Sequence, residues 1–138
     1  NLAAAVSLLA KKKKEFFPLK QILIYPATYY DHSEESPFPS VTENGEDFIL
    51  TAKRIEDYMD LYVPIKKERL NPYVAPLLAD DLSDQPSTLI ITAEFDPLRD
   101  EGEAYAQKLR EYGNTVRSFC IDGVIHGFLG NPLAVTEI

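Results

Sequence analysis

Apolar and polar positions repeat along this chain with two periods, one typical of helices and one typical of strands. Apolar residues recur every three or four positions over 2–13 and again over 46–63, which predicts two amphipathic helices. Three short apolar runs, "QILIYP", "STLIITAE" and "TVRSFCID", predict strands near 21–25, 88–94 and 116–121.

The last third of the chain predicts the fold class. A helical pattern, "RDEGEAYAQKLREYG", separates the second and third predicted strands. A strand, helix, strand unit of this length crosses over in the right-handed sense, which makes the two strands parallel and usually adjacent. We therefore predict an α/β fold with parallel strands and flanking helices, formed by a single domain over 1–138.

Two regions lack a clear period. Residues 27–46 are rich in Ser, Pro, Asp, Glu and Tyr, and "NPYVAPLLADDLSDQP" contains three prolines. We interpret 27–72 as a lid or cap with its connecting segment. Both ends of the chain fall within apolar patterns: "NLAAAVSLLAKKKK" starts inside a helical pattern, and another apolar pattern over 131–138 stops abruptly. We therefore expect a portion of a longer protein.

Charge and cysteine content exclude several classes of function. The net charge is −8 over 138 residues, which disfavours nucleic acid and anionic membrane surfaces as partners. The basic run at 11–14 closes a helical pattern, where cations favour the helix dipole. No uninterrupted apolar stretch approaches the ~18 residues of a membrane span, and no signal peptide is evident. The single cysteine, Cys120, excludes an intrachain disulfide and indicates a cytoplasmic protein.

Two side chains follow neighbouring predicted strands. Asp96 lies in "EFDPLRDE" and His126 in "DGVIHGF". Because the carboxyl ends of parallel strands meet at one edge of the sheet, these side chains can come within hydrogen-bond reach. A carboxylate held against an imidazole orients the ring and stabilises the imidazolium, which supplies two members of a catalytic triad.

Each of these residues also has a structural interpretation. Asp96 before Pro97 is typical of a helix N-cap followed by proline at the first helical position. Asp122 and Gly123 form a turn dipeptide, and His126 could be an ordinary loop histidine.

The remaining polar candidates predict no site. The acids at 100–101 lie in the first turn of a helix, where negative charge is favourable without a function. We expect His32 to lie in a solvated or lid position and Cys120 to be buried in its strand. Two histidines far apart are a weak metal signal, so we predict no metal and no cofactor.

These stretches together resemble the end of the α/β-hydrolase fold in the hormone-sensitive-lipase-like family of carboxylesterases. The resemblance rests on "STLIITAEFDPLRDEGEAYAQKLREYG", "DGVIHGF", "NPYVAPLLADDLSDQP" and "QILIYPATYY", and it covers nearly the whole chain. It implies that Asp96 is the triad acid and that His126 is the triad base.

One departure from the family pattern is as informative as the resemblance itself. The family's nucleophile is a serine in a G-x-S-x-G elbow, and its oxyanion hole uses an HGGG-type loop, but neither motif occurs here. Asn1 and the "LAAAVSLLA" after it resemble the helix that leaves the elbow in the family pattern G-D-S-A-G-G-N. Ser7 lies within that helix and is no substitute. We predict that this chain alone has no appreciable esterase activity.

The predicted function is therefore the C-terminal portion of a serine carboxylesterase that acts on small, uncharged acyl esters. Residues 27–62 would help to cover its pocket, with Phe38, Phe48, Tyr58 and Tyr62 as candidate lining. The run "QILIYP" would leave an unpaired sheet edge, which predicts a possible homodimer.

Two other interpretations stay open at this stage. One is a non-enzymatic α/β interaction domain. The other is a phospho-acceptor or Mg²⁺ site formed by Asp96, Asp100 and Glu101, although both the acids expected at the end of the first strand and a lysine near the last strand are missing.

Overall fold

A computed structural model describes residues 1–130 and contains three strands with helices packed against them. The strands are β1 (Lys20–Ile24), β2 (Ser87–Phe95) and β3 (Val116–Ile125). The α-helices are α1 (Leu2–Lys13), α2 (Pro39–Glu43), α3 (Ala52–Tyr62) and α4 (Arg99–Glu111), and two short 3₁₀ helices span Lys66–Leu70 and Pro76–Leu78.

The three strands form a parallel sheet in the order β1-β2-β3. The predicted α/β class and the three predicted strands are confirmed, and β2 and β3 extend beyond the predicted bounds. The apolar pattern at 131–138 lies outside the described residues. No helix within residues 1–130 is long and apolar enough to cross a membrane.

Helices α1 and α4 bury the core against one face of the sheet. Side chains from both helices, from β1 and from β2 share one cluster, in which Ile90, Tyr105 and Leu109 are fully buried. The opposite face is open, since Ile22 and Phe119 remain 60% and 54% exposed. The prediction that Cys120 is buried is wrong: it is exposed on β3, at the edge of the described sheet, in a groove beside Thr92 and side chains of α4.

The second amphipathic helix is shorter than its pattern predicts. Helix α3 begins at Ala52, so Phe48 and Ile49, which the pattern placed inside it, precede the helix. Thr51 stops the helix from extending backwards, because its side-chain oxygen accepts a hydrogen bond from the Arg54 N–H at 3.2 Å.

Asp122 and Gly123 do not form the predicted turn. They lie inside β3, where the register shifts: Ala93 pairs with Ile121, but the next pair is Phe95 with Ile125. The extra residues of β3 form a bulge, in which Gly123 adopts a φ of 71°. Glycine adopts a left-handed φ without steric cost, so Gly123 fits this bulge inside the strand.

Candidate active site

Asp96 and His126 lie side by side at the carboxyl edge of the sheet. Asp96 directly follows β2 and His126 directly follows β3, and Asp96 Oδ2 is 2.8 Å from His126 Nδ1. The Asp96 side chain is fully buried, whereas a quarter of the His126 side chain is exposed. With Nδ1–H donating to the carboxylate, Nε2 is the ring nitrogen that can accept a proton.

The second oxygen of Asp96 has a structural role. Oδ1 accepts the Leu98 N–H at 2.9 Å, and the Asp96 carbonyl accepts the Arg99 N–H at 3.1 Å. Asp96 is not the N-cap residue itself, because α4 begins at Arg99 and Leu98 precedes it. The structural and the catalytic interpretation therefore apply to different oxygens of one carboxylate. The hydrogen bond from the Leu98 N–H to Oδ1 fixes the orientation in which Oδ2 faces the imidazole.

The bulge in β3 brings His126 back to the sheet edge. The Glu94 carboxylate accepts the Gly123 N–H at 2.7 Å, which ties the bulge to the end of β2. Because the strand realigns at Phe95 and Ile125, the next residues of the two strands, Asp96 and His126, face each other. The bulge thus sets the register on which the pair depends.

Tyr25 packs against the imidazole and was not singled out from the sequence. Its ring centroid lies 4.4 Å from that of His126 and 5.7 Å from that of Phe128. Tyr25 follows β1 directly and has a φ of 38°, which is uncommon for a non-glycine residue. The available signal was its position before Pro26, at the same sheet edge as Asp96 and His126.

A mainly apolar cavity of about 450 Å³ opens beside His126. The predicted lining residues Tyr58 and Tyr62 belong to it, but the other two aromatic candidates pack elsewhere. The Phe38 ring contacts Tyr29 at 5.2 Å and the Phe48 ring stacks on Phe95 at 5.5 Å. The remaining lining comes from five parts of the chain: Asn1, Leu2, Tyr25, Ala27, Tyr29, Leu50, Ile55, Met59, Val74 and Leu98.

The size and lining of this cavity suit a small uncharged ligand. A larger groove of about 1130 Å³ runs along the lysine-rich end of α1, and neither Asp96 nor His126 lines it. His126, which is bonded to Asp96, borders the smaller cavity beside its apolar lining.

His32 and Glu101 form a buried pair. The expectation that His32 is solvated is wrong, because it is 1% exposed, whereas Glu101 lies in the first turn of α4 as predicted and is fully buried. Glu101 Oε2 lies 2.7 Å from His32 Nε2. Burial lowers the pKa of His32, but the hydrogen bond and negative charge of Glu101 outweigh that effect, so the pKa is raised above its ordinary value.

The three acids considered for a magnesium site point to different partners. Asp96 faces His126, Glu101 faces His32, and the Asp100 Oδ2 accepts the Ser40 N–H at 2.8 Å. Within residues 1–130, no three His, Cys, Asp or Glu side chains cluster as metal ligands would. The geometry gives no support to a phospho-acceptor or Mg²⁺ site at these acids.

Comparison with known proteins identifies esterases among the relatives of this chain. An arylesterase of Saccharolobus solfataricus is 39% identical over the full length of this chain, which covers 44% of that protein. An ethyl acetate hydrolase of Pseudomonas putida is 35% identical over 88% of the chain, or 37% of its own length. The chain thus spans less than half the length of these relatives.

A solved structure and a family model agree with these sequence relatives. The hyperthermophilic esterase from the archaeon Pyrobaculum calidifontis superposes with a TM-score of 0.85 at 40% identity, over 92% of this chain and 41% of that one. The family model described as the α/β-hydrolase fold matches residues 1–130. Together with the three parallel strands and their flanking helices, these matches show that the chain belongs to the α/β-hydrolase family whose members include carboxylesterases and arylesterases.

Proposed function

We propose that this chain supplies the acid and the base of a Ser-His-Asp triad in a carboxylic ester hydrolase. The observation that carries the proposal is the 2.8 Å contact between Asp96 Oδ2 and His126 Nδ1 at the edge of an apolar cavity. Substrates of small size and no charge fit the cavity's volume and lining. The names of the relatives, an arylesterase and an ethyl acetate hydrolase, support the same class of substrate.

The proposed reaction uses His126 twice. A serine from outside these 138 residues attacks the ester carbonyl while Nε2 of His126 takes the serine proton. The imidazolium, stabilised by the Asp96 carboxylate, then protonates the departing alkoxide and leaves an acyl-serine. Water attacks this acyl group with its proton passing to Nε2, and the return of that proton to the serine releases the acid.

The same proposal implies that the 138 residues alone do not hydrolyse esters. They contain neither a G-x-S-x-G elbow nor an HGGG-type loop. Without these parts, no nucleophile forms the tetrahedral intermediate and no amide donors stabilise its oxyanion. Loss of one oxyanion donor alone lowers kcat about 10²–10³-fold, so we expect the isolated Asp96 and His126 pair to give no appreciable rate of ester hydrolysis.

The test compares this chain with a protein in which it follows a segment bearing the elbow and the oxyanion loop. We expect hydrolysis of p-nitrophenyl acetate only by the longer protein, and its loss in the His126→Ala variant. Hydrolysis by the 138 residues that His126→Ala abolishes would contradict the claim of inactivity. Full activity of the longer His126→Ala protein would contradict the triad.

An alternative function is a non-enzymatic α/β interaction domain. The open sheet face, where Ile22 and Phe119 are exposed, favours it as a surface for another protein segment. This alternative expects a folded longer protein without esterase activity. Under either function, the net charge of −8 disfavours nucleic acid and anionic membranes, and the single cysteine suits the reducing cytoplasm.

A further inference from the structure

The buried pair of His32 and Glu101 has no part in the proposed proton transfers. We propose that these two residues form a clamp that fixes the spacing between two walls of the cavity, and that the clamp thereby sets the length of alkyl group that the cavity accepts. This role rests on the proposed function for its substrate class, an uncharged ester. Its geometry does not depend on catalysis.

Glu101 fixes the loop after β1 to helix α4. Its Oε1 accepts the backbone N–H groups of Thr28 and Tyr29, at 2.5 Å and 3.0 Å. The Thr28 hydroxyl donates in addition to the Glu101 carbonyl at 2.9 Å. Hydrogen bonds to an ionised acceptor are about twice as strong as neutral ones, and here they act on a fully buried carboxylate. These bonds hold Tyr29, which lines the cavity, at a fixed distance from α4.

His32 extends the clamp to helix α3. Its N–H donates to Glu56 Oε1 at 3.0 Å, and Glu56 Oε2 pairs in turn with Arg69 at 3.3 Å. His32 therefore joins α4 to α3: its ring Nε2 is bonded to Glu101, and its backbone N–H is bonded to Glu56. Helix α3 contributes four side chains to the same cavity: Ile55, Tyr58, Met59 and Tyr62.

The clamp thus connects two opposing walls without lining the cavity itself. One wall is the loop that bears Ala27 and Tyr29, and the other is α3. Burial is the main reason that the pKa of Tyr29 rises to about 12, and its hydrogen bond with Tyr30 raises the pKa further, so the phenol stays neutral at physiological pH. A neutral wall held at a fixed spacing discriminates between alkyl chains by packing rather than by charge.

The experiment replaces Glu101 and measures the wall directly. In the 138-residue chain, Glu101→Leu removes the acceptor of Thr28 and Tyr29, and Glu103→Leu is the control on the exposed side of the same helix. We expect amide hydrogen exchange at Thr28 and Tyr29 to accelerate about tenfold or more in Glu101→Leu, and less than about twofold in the control. Unchanged exchange in a folded Glu101→Leu variant would overturn the clamp.

Selectivity is measured with 2-butanone and 2-octanone, which are unreactive ketone analogues of short and long esters. Glu101→Leu is expected to change the ratio of their dissociation constants by about threefold or more, with the control at the wild-type ratio. A wild-type ratio in Glu101→Leu, or failure of the wild-type chain to bind either ketone, would refute the role in selectivity. Neither measurement needs a nucleophile, so absent esterase activity would count against the proposed function alone.

A milder variant covers the case in which Glu101→Leu does not fold. Glu101→Gln keeps an acceptor for the two amides but loses its charge, so we expect a smaller acceleration of exchange, about threefold. One result would reject the clamp. It is a Glu101→Gln variant with wild-type amide exchange and a wild-type ratio of ketone dissociation constants, together with a Glu101→Leu variant that circular dichroism shows to be unfolded. Glu101 would then be needed only for folding.

Discussion

The ring of Tyr25 lies 4.4 Å from the imidazole of His126, centroid to centroid, with the two planes inclined at 52°. Tyr25 holds this position with a φ of 38°, a left-handed conformation that non-glycine residues seldom adopt. Such a conformation costs about 1–3 kcal/mol and persists only where the surroundings enforce it. The strain therefore lies at the point where β1 meets the proposed catalytic base.

We expect Tyr25→Leu to lower kcat of the longer, serine-bearing protein about three- to tenfold. An aromatic pair is worth about 0.5–1.5 kcal/mol beyond burial, and its loss frees the imidazole to leave its productive orientation. Tyr25→Phe keeps the ring and should retain wild-type activity. The measurement is p-nitrophenyl acetate hydrolysis; equal losses in both variants would assign the effect to the hydroxyl instead.

Asp96→Asn separates the two roles of this carboxylate. An asparagine oxygen can still accept the Leu98 N–H, so we expect the free energy of unfolding to change by less than about 1.5 kcal/mol. Its amide would face His126 Nδ1 and force the wrong tautomer, with a loss of about 10³–10⁴ in kcat of the longer protein. Asp122→Asn, at an exposed position of β3, is the matched control.

The two outcomes are measured independently, by urea denaturation and by steady-state kinetics. Wild-type kcat in Asp96→Asn would refute the triad role. A large loss of stability together with lost activity would show that the structural oxygen dominates.

Gly123→Ala tests whether the bulge in β3 requires a glycine. At a φ of 71°, an alanine is strained by about 1–2 kcal/mol, which corresponds to a fall in Tm of about 3–6 °C. We expect this fall in a thermal melt followed by circular dichroism. Gly130→Ala is the control, because a Cβ there would meet open space. Equal Tm values for the two variants would contradict the strain.

The proximity of Asp96 and His126 followed from the sequence because a simple rule governs it. Each residue follows one of two runs that predicted adjacent parallel strands, and parallel strands end at one edge of the sheet. The bulge did not follow, since Asp-Gly fits a turn as well as a kink inside a strand. Only the pairing partner, β2, distinguishes the two, and local pattern does not contain it.

The His32 and Glu101 pair could not be predicted for a related reason. The residues are 69 positions apart, and each had a sufficient local explanation, a polar segment for one and a helix N-terminus for the other. Their burial depends on how the loop after β1 packs on α4. For Cys120 the error was the reverse: alternation indicates which side chains of a strand share a face, but not that β3 lies at the edge of the described sheet, where Cys120 stays exposed.

Stability should depend on pH through His32. Its folded pKa is raised above the ordinary value of 6.5 by Glu101, Glu56 and Asp31 against the opposing effect of burial. A raised pKa contributes stability that is fully present below the unfolded pKa and is lost as the pH rises through the folded pKa. We expect the difference in unfolding free energy between wild type and His32→Gln to shrink as the pH rises above about 6.5.

Urea denaturation between about pH 5.5 and about pH 9 measures this difference. The chain has two histidines, so His126→Gln serves as the control and should retain the dependence. A difference that grows with pH would contradict the assignment of the raised pKa to His32.

Strand β1 has an unpaired edge within the described sheet, because β2 is its only neighbour there. The Tyr25 N–H points to β2, where it donates to the Ile91 carbonyl at 2.6 Å. Since backbone groups alternate in direction along a strand, the N–H groups of Ile22 and Ile24 point to the free edge. An edge of this kind pairs readily with a second copy.

We therefore expect the 138-residue chain to self-associate through β1, with an apparent mass in solution scattering that rises with concentration. Ile22→Lys should shift this association to at least about tenfold higher concentration, because a charged side chain on an edge strand opposes pairing. Leu61→Lys introduces the same charge at an 81% exposed position of α3 and should leave association unchanged. A strictly monomeric wild-type chain would refute the edge contact, and equal effects of the two lysines would attribute association to net charge rather than to β1.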